Sequence, residues 1–146
     1  MRPIPLVLGL LVSVSGPATQ VLQRETINCS VTPTTAERPP DDPHSSSFAS
    51  PNSTWYANGE RSLWAWWWGK TSTGDYKVLW VRPTGTSLKI SGRRMDAEAS
   101  GFRVRIPTGY RGYTYQASAI DFPSAGCWEI EARADDARLQ LVVHIK

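Results

Sequence analysis

Residues Cys127–Lys146 read CWEIEARADDARLQLVVHIK, and this stretch decides the fold. Trp128, Ile130, Ala132 and Ala134 alternate with Glu129, Glu131 and Arg133, the period-two pattern of a strand with one wet face. Asp135-Asp136 then reverses the chain. Leu139, Leu141, Val143 and Ile145 alternate with Arg138, Gln140, Val142 and His144, a second strand of the same kind. Two such runs joined by a short acidic turn predict a β-hairpin.

Working outward from the hairpin, the same reading predicts earlier strands. Leu63–Trp68 (LWAWWW) puts Leu63, Ala65 and Trp67 on one face and Trp64, Trp66 and Trp68 on the other. Tyr76–Val81 (YKVLWV) is a second strand, after a turn over Gly69–Asp75. Leu88 and Ile90 mark a third, ending near Arg93-Arg94. Phe102, Val104 and Ile106 alternate with Arg103 and Arg105, and Tyr113–Ile120 supplies one more. Pro and Gly number 11 each and punctuate the chain at strand-sized intervals. About seven strands at a spacing of roughly 8–12 residues predict an all-β, two-sheet antiparallel sandwich. The 146 residues suffice for one such domain with a core of its own.

The N-terminus is different in kind. Met1–Gln20 has one basic residue, Arg2, then an apolar run from Ile4 to Val14, then small residues including Gly16 and Ala18. That is the order of a secretory signal peptide ending near Ala18. The run falls short of the roughly 20 residues a membrane span needs, so no stable span is expected after cleavage. Thr26-Ile27-Asn28 before Cys29 lacks the small residue of a lipidation site. Thr32–Asn58 is dense in Pro, Ser, Thr and Asp, and it buries too little apolar surface to offset its ordering entropy. The expected organisation is therefore a signal peptide over 1–18, an irregular segment over 19–58 and a sandwich over 59–146. Asn28-Cys29-Ser30 and Asn52-Ser53-Thr54 match the N-glycosylation triplet, a weak three-residue pattern.

FPSAGCWEIEARADDARLQLVV resembles the last two strands of bacterial immunoglobulin-like domains: a Pro-x-x-Gly turn, a strand, an acidic turn and a final strand. INCSVTP, SLKISGRRMDA and GYRGYTYQASAIDFPSAGCWEI together resemble an uncharacterised family of short secreted bacterial proteins. The resemblance implies an immunoglobulin-like fold and an exported location, and it implies no chemistry. The run Trp66-Trp67-Trp68 departs from that pattern.

Cys29 and Cys127 stand 98 positions apart, which fits no zinc spacing and no redox CxxC. In an exported chain the pair reads as one disulfide, the alternative being two buried thiols. His44 lies in the irregular segment and His144 on the wet face of the last strand, so neither suits a nucleophile–His–acid arrangement. Glu129 and Glu131 share a strand face at a separation a glycosidase pair could use, but a solvated outer face explains them more simply. No ligand cluster for a metal is recognisable, and no cofactor is expected. The formal charge of +3 is too mild for a nucleic-acid partner. Arg93, Arg94, Arg103, Arg105 and Arg111 either gather on one outer face, where they could contact the phosphate or sulfate groups of a polyanion, or, as the simpler reading, pair with Glu98, Glu129 and Glu131 across neighbouring strands. Tyr110, Tyr113 and Tyr115 form a core corner or a rim.

Seven tryptophans are the outlying figure. Both faces of Leu63–Trp68 cannot be ordinary core in a sandwich unless something covers the outer one. Either Trp64, Trp66 and Trp68 form an exposed row that binds a carbohydrate or an envelope protein, or the segment carrying Phe48, Trp55 and Tyr56 covers them. Trp80 and Trp128 are read as core. The expectation is a non-catalytic exported binding module, with a purely structural or inhibitory envelope protein as the alternative.

Overall fold

The computed structural model describes residues 29–40 and 53–146. The segment expected to be a signal peptide, His44, Phe48, Asn28 and Asn52 lie outside them. Eight strands are present: β1 (Tyr56–Ala57), β2 (Trp64–Lys70), β3 (Tyr76–Val81), β4 (Leu88–Arg94), β5 (Arg103–Arg105), β6 (Tyr115–Asp121), β7 (Gly126–Ala134) and β8 (Ala137–Ile145). They form two antiparallel sheets, ordered β1-β2-β3-β6-β5 and β4-β7-β8. Setting aside the two-residue β1, the orders β2-β3-β6-β5 and β4-β7-β8 reproduce the ABED and CFG sheets of the immunoglobulin fold. The expected all-β sandwich is the fold, and the seven expected strands are joined by one very short edge strand.

The terminal hairpin is as its alternation predicts. Ala134 pairs with Ala137 across a two-residue loop, and Asp135 takes a φ of 52° there. Aspartate tolerates this left-handed backbone, and a loop of this length needs it to match the twist of the strands. Inward residues Trp128, Ile130, Leu139 and Leu141 are all buried. They face Leu63, Ala65, Val78, Trp80 and Ile120 of the larger sheet in one continuous core. Each large indole in it has its N–H satisfied: Trp80 Nε1 donates to Ser118 Oγ at 2.8 Å, and Trp128 Nε1 to the Ser124 carbonyl at 3.0 Å. Trp67, Tyr76, Phe102 and Phe122 extend this core as a chain of tilted and edge-on rings. Beside them Gly92 leaves room for the Phe102 ring, because a Cβ there would sit 2.4 Å from Phe102 Cε1 and 2.2 Å from the Glu129 carbonyl oxygen.

Cys29 is bonded to Cys127, at the start of β7. From that crosslink the chain runs along the free edge of β8. There the Thr32 amide donates to the Val142 carbonyl at 3.0 Å, and the Val142 amide donates to Thr32 Oγ1 at 2.8 Å. It then reaches the other sheet, where Thr35 bridges Trp55 and Glu37 pairs with Arg61. Residues 29–37 thus strap one side of the sandwich and connect its two layers. Strand pairing in the larger sheet begins at Tyr56, and Trp55 just before it is buried.

Candidate functional site

The two outer faces of the sandwich differ in chemistry. On the smaller sheet the outer side chains are charged and mutually engaged. Arg93 Nε lies 3.1 Å from Glu129, which also accepts from Gln140 at 2.8 Å, and Glu131 pairs with both Arg133 and Arg138. The Glu131 carboxyl is held below its ordinary range, chiefly by the Arg133 hydrogen bond and then by Arg138. Glu129 and Glu131 are therefore members of an ion-pair lattice, as a solvated sheet face would have them. His144 is exposed on this same face.

The arginines do not gather on one face. Arg93 lies on the smaller sheet, Arg103 and Arg105 on the larger, and Arg111 in the loop before β6. Arg94 bonds Asp96 and Ser124 and packs over Gly126. Arg103 pairs with Asp121 at 2.5 Å, and Arg105 pairs with Asp75. Asp75 also accepts from Thr71 and Thr73 in the β2–β3 turn, and these hydroxyls, with Arg105 as a lesser contributor, bring its pKa down to about 2.

The larger sheet carries tryptophans on its outer face, and they are not equivalent. Trp64 is only 3% exposed. Its Nε1 donates to the Arg61 carbonyl at 2.9 Å, the Arg61 guanidinium lies 5.7 Å from its ring centre, and it belongs to a small cluster with Trp55, Leu79 and Val81. Trp66 is half-buried, with Trp55 6.0 Å away on one side. Trp68 is 57% exposed and stacks on Trp66, with ring centres 5.2 Å apart and planes 18° off parallel. Of the two readings left open, an exposed row and a covered one, each describes part of the strand: Trp64 is covered, Trp66 half-covered and Trp68 open. Trp55 and Arg61 close over Trp64 because the chain before β2 folds back across that end of the strand. Tyr110, Tyr113 and Tyr115 pack against one another at ring distances of 5.1–6.5 Å, and Tyr115 adjoins the Trp64 cluster.

Next to Trp68 the sheet dips into a groove of about 630 Å³. Its floor is made by Leu79 of β3 and by Ala117 and Ala119 of β6, and Trp68 forms one wall. Arg105, Ile106 and Pro107, at the end of β5, form the opposite wall. The depression follows from register. Leu79 faces Ala117, Lys77 faces Ala119, and Arg105 faces Ala119 from the other side, so the central strand presents methyl groups where its neighbours present long side chains. Trp68 rises beside this floor because the β2–β3 pairing shifts by one residue between Trp67 and Gly69. A bulge of this kind re-aims the extra side chain. Arg105 stood among the arginines weighed for polyanion binding, but Ala117, Ala119 and Lys77 were not legible as site residues in the sequence. The only signal was that the outward positions of YQASA after Tyr115 are alanines, which becomes meaningful once the flanking strands are known.

Among the described residues no three His, Cys, Asp or Glu side chains group as metal ligands would. No family model matches the chain. No curated protein matches it either. Among solved structures, a crystal structure of a candidate lipoprotein from Bacillus anthracis resembles the chain with a TM-score of 0.49 and 12% identity, over 91% of this chain and 98% of that one.

Proposed function

We propose that this protein is a non-catalytic, exported binding module that recognises a carbohydrate or protein partner at the cell envelope through the aromatic face of β2. One observation carries the reading: the open Trp68 indole, backed by Trp66, beside an apolar groove on a sheet face. Aromatic side chains offer large contact area with little conformational entropy to lose, and an exposed one beside an apolar depression is a natural anchor. The groove walls are apolar and cationic, a lining suited to holding a ligand rather than to moving protons. Export is supported by the apolar N-terminal run and by the Cys29–Cys127 disulfide, a bond that persists in oxidising compartments.

A second reading, a structural envelope protein, draws on the burial of Trp55, Trp64, Trp80 and Trp128. The two separate in a pull-down of envelope material with wild-type protein and the Trp68→Ala variant. A partner captured by the wild type and lost by the variant supports the binding module. Equal capture by both, or none by either, supports the structural reading.

A further inference from the structure

The charges around the groove narrow the partner. The two charged residues lining it, Lys77 and Arg105, are both cationic. They flank Ala119 in one transverse row of the sheet, Lys77 on β3 and Arg105 on β5. With strands about 4.8 Å apart, the two backbones stand roughly 10 Å from each other, with only a methyl group between them. An anionic group can settle into that gap. Lys77 has no ion-pair partner among the described residues. Arg105 spends a single nitrogen on Asp75 and is otherwise open to solvent, leaving guanidinium donors for a second anion.

The backbone argues against an extended peptide on this floor. β3 and β6 are interior strands, each paired on both sides, so their N–H and C=O groups are already used. Strand addition needs a free edge. Recognition in the groove must come from side chains: a flat indole at one wall and a cation–methyl–cation row across the floor. Pyranose rings present an apolar C–H face that lies flat on an indole, and acidic sugars add carboxylate or sulfate groups that the cations can hold.

We infer, building on the binding-module reading, that the groove takes an acidic polysaccharide, one ring stacking on Trp68 and a ring anion seated over Ala119 between Lys77 and Arg105. Polygalacturonate, its fully methyl-esterified form and polyglutamate separate the contributions of ring and charge. Binding to the full-length exported protein is read by tryptophan fluorescence and affinity electrophoresis. Polygalacturonate is expected to bind, and to weaken as salt is added. The methyl ester should bind more weakly and polyglutamate should not compete. Lys77→Gln should weaken polygalacturonate about two- to fivefold, the scale of one exposed charge, and leave the methyl ester unchanged. Trp68→Ala should weaken both sugars by about tenfold or more. Ala119→Leu, which fills the gap while keeping both cations, should abolish binding with an unchanged thermal midpoint. Equal affinity for polygalacturonate and its ester overturns the charge assignment while leaving the aromatic binding face standing. Competition by polyglutamate independent of Trp68, or no binding to either sugar, overturns the acidic-glycan assignment. In that last case, loss of envelope capture by Trp68→Ala still distinguishes a protein-binding face from no binding face.

Discussion

Trp68 rests on Trp66 at 5.2 Å and 18°, and Trp66 in turn leans on buried Trp55 at 6.0 Å and 41°. The most exposed indole of the described chain is thereby fixed from beneath, so a ligand stacking on it would meet a ring already ordered. Acrylamide should quench one tryptophan component easily and the rest poorly. Trp68→Ala should remove the easily quenched component, with a stability change within roughly 0.5 kcal/mol because the site is on the surface. Trp64→Ala should instead cost about 3–5 kcal/mol, the scale of a large aromatic lost from a packed position. Equal effects of the two variants on the denaturation midpoint would contradict the graded burial.

The crosslink between Cys29 and Cys127 closes a loop of 98 positions. In the chain-entropy account, a loop of that length contributes about 4–5 kcal/mol by restricting the unfolded chain. The Cys29→Ala/Cys127→Ala variant should therefore unfold at a much lower urea concentration than the wild type. Thiol titration of denatured, unreduced wild-type protein should find none.

Gly92 is required for contact rather than for conformation. A methyl there would collide with the Glu129 carbonyl and the Phe102 ring, so β4 or the ring must move. Gly92→Ala should destabilise by about 1–3 kcal/mol, the usual cost of overpacking. A lowered urea midpoint with an unchanged denaturant slope would report this as lost stability without loss of compactness.

Asp75 makes the fold sensitive to acid. Its pKa in the folded protein is about 2, against an ordinary 3.8, so the unfolded chain takes up the proton first as the pH falls. The stabilisation from this carboxylate is complete above about pH 4 and is lost as the pH falls through 2. Urea midpoints measured between pH 5 and pH 2 should decline more gently for Asp75→Asn than for the wild type. Parallel declines would show that other carboxylates account for the acid sensitivity.

The hairpin of β7 and β8 could be read directly from the chain because each strand has one dry and one wet face, and alternation records that. The disulfide was one of two open readings, and the crosslink between the start of the strap and β7 settles it. Strand order could not be read, since it depends on the chain crossing between sheets at β3–β4, β4–β5 and β6–β7. The tryptophan face was half legible. The alternation in LWAWWW separates Trp64, Trp66 and Trp68 from the core side, but nothing local says that Trp55 and Arg61 fold back over Trp64 and stop short of Trp68. The groove was invisible for a related reason. Ala117 and Ala119 carry no chemistry of their own, and become a floor only through the length of the side chains that pairing sets beside them.

The strap over β8 bears on how copies of this protein behave together. An open strand edge presents unpaired N–H and C=O groups that a strand of another chain can pair with. On β8 the N–H and C=O of Val142 are already taken by Thr32, only three residues beyond the crosslinked Cys29. The Cys29–Cys127 bond anchors the start of this cover, and the Thr35–Trp55 bridge and the Glu37–Arg61 pair hold its far end on the other sheet. At Val142 the edge that a neighbouring strand would pair with is thus occupied by the chain's own N-terminal segment, which the crosslink ties to the same sheet.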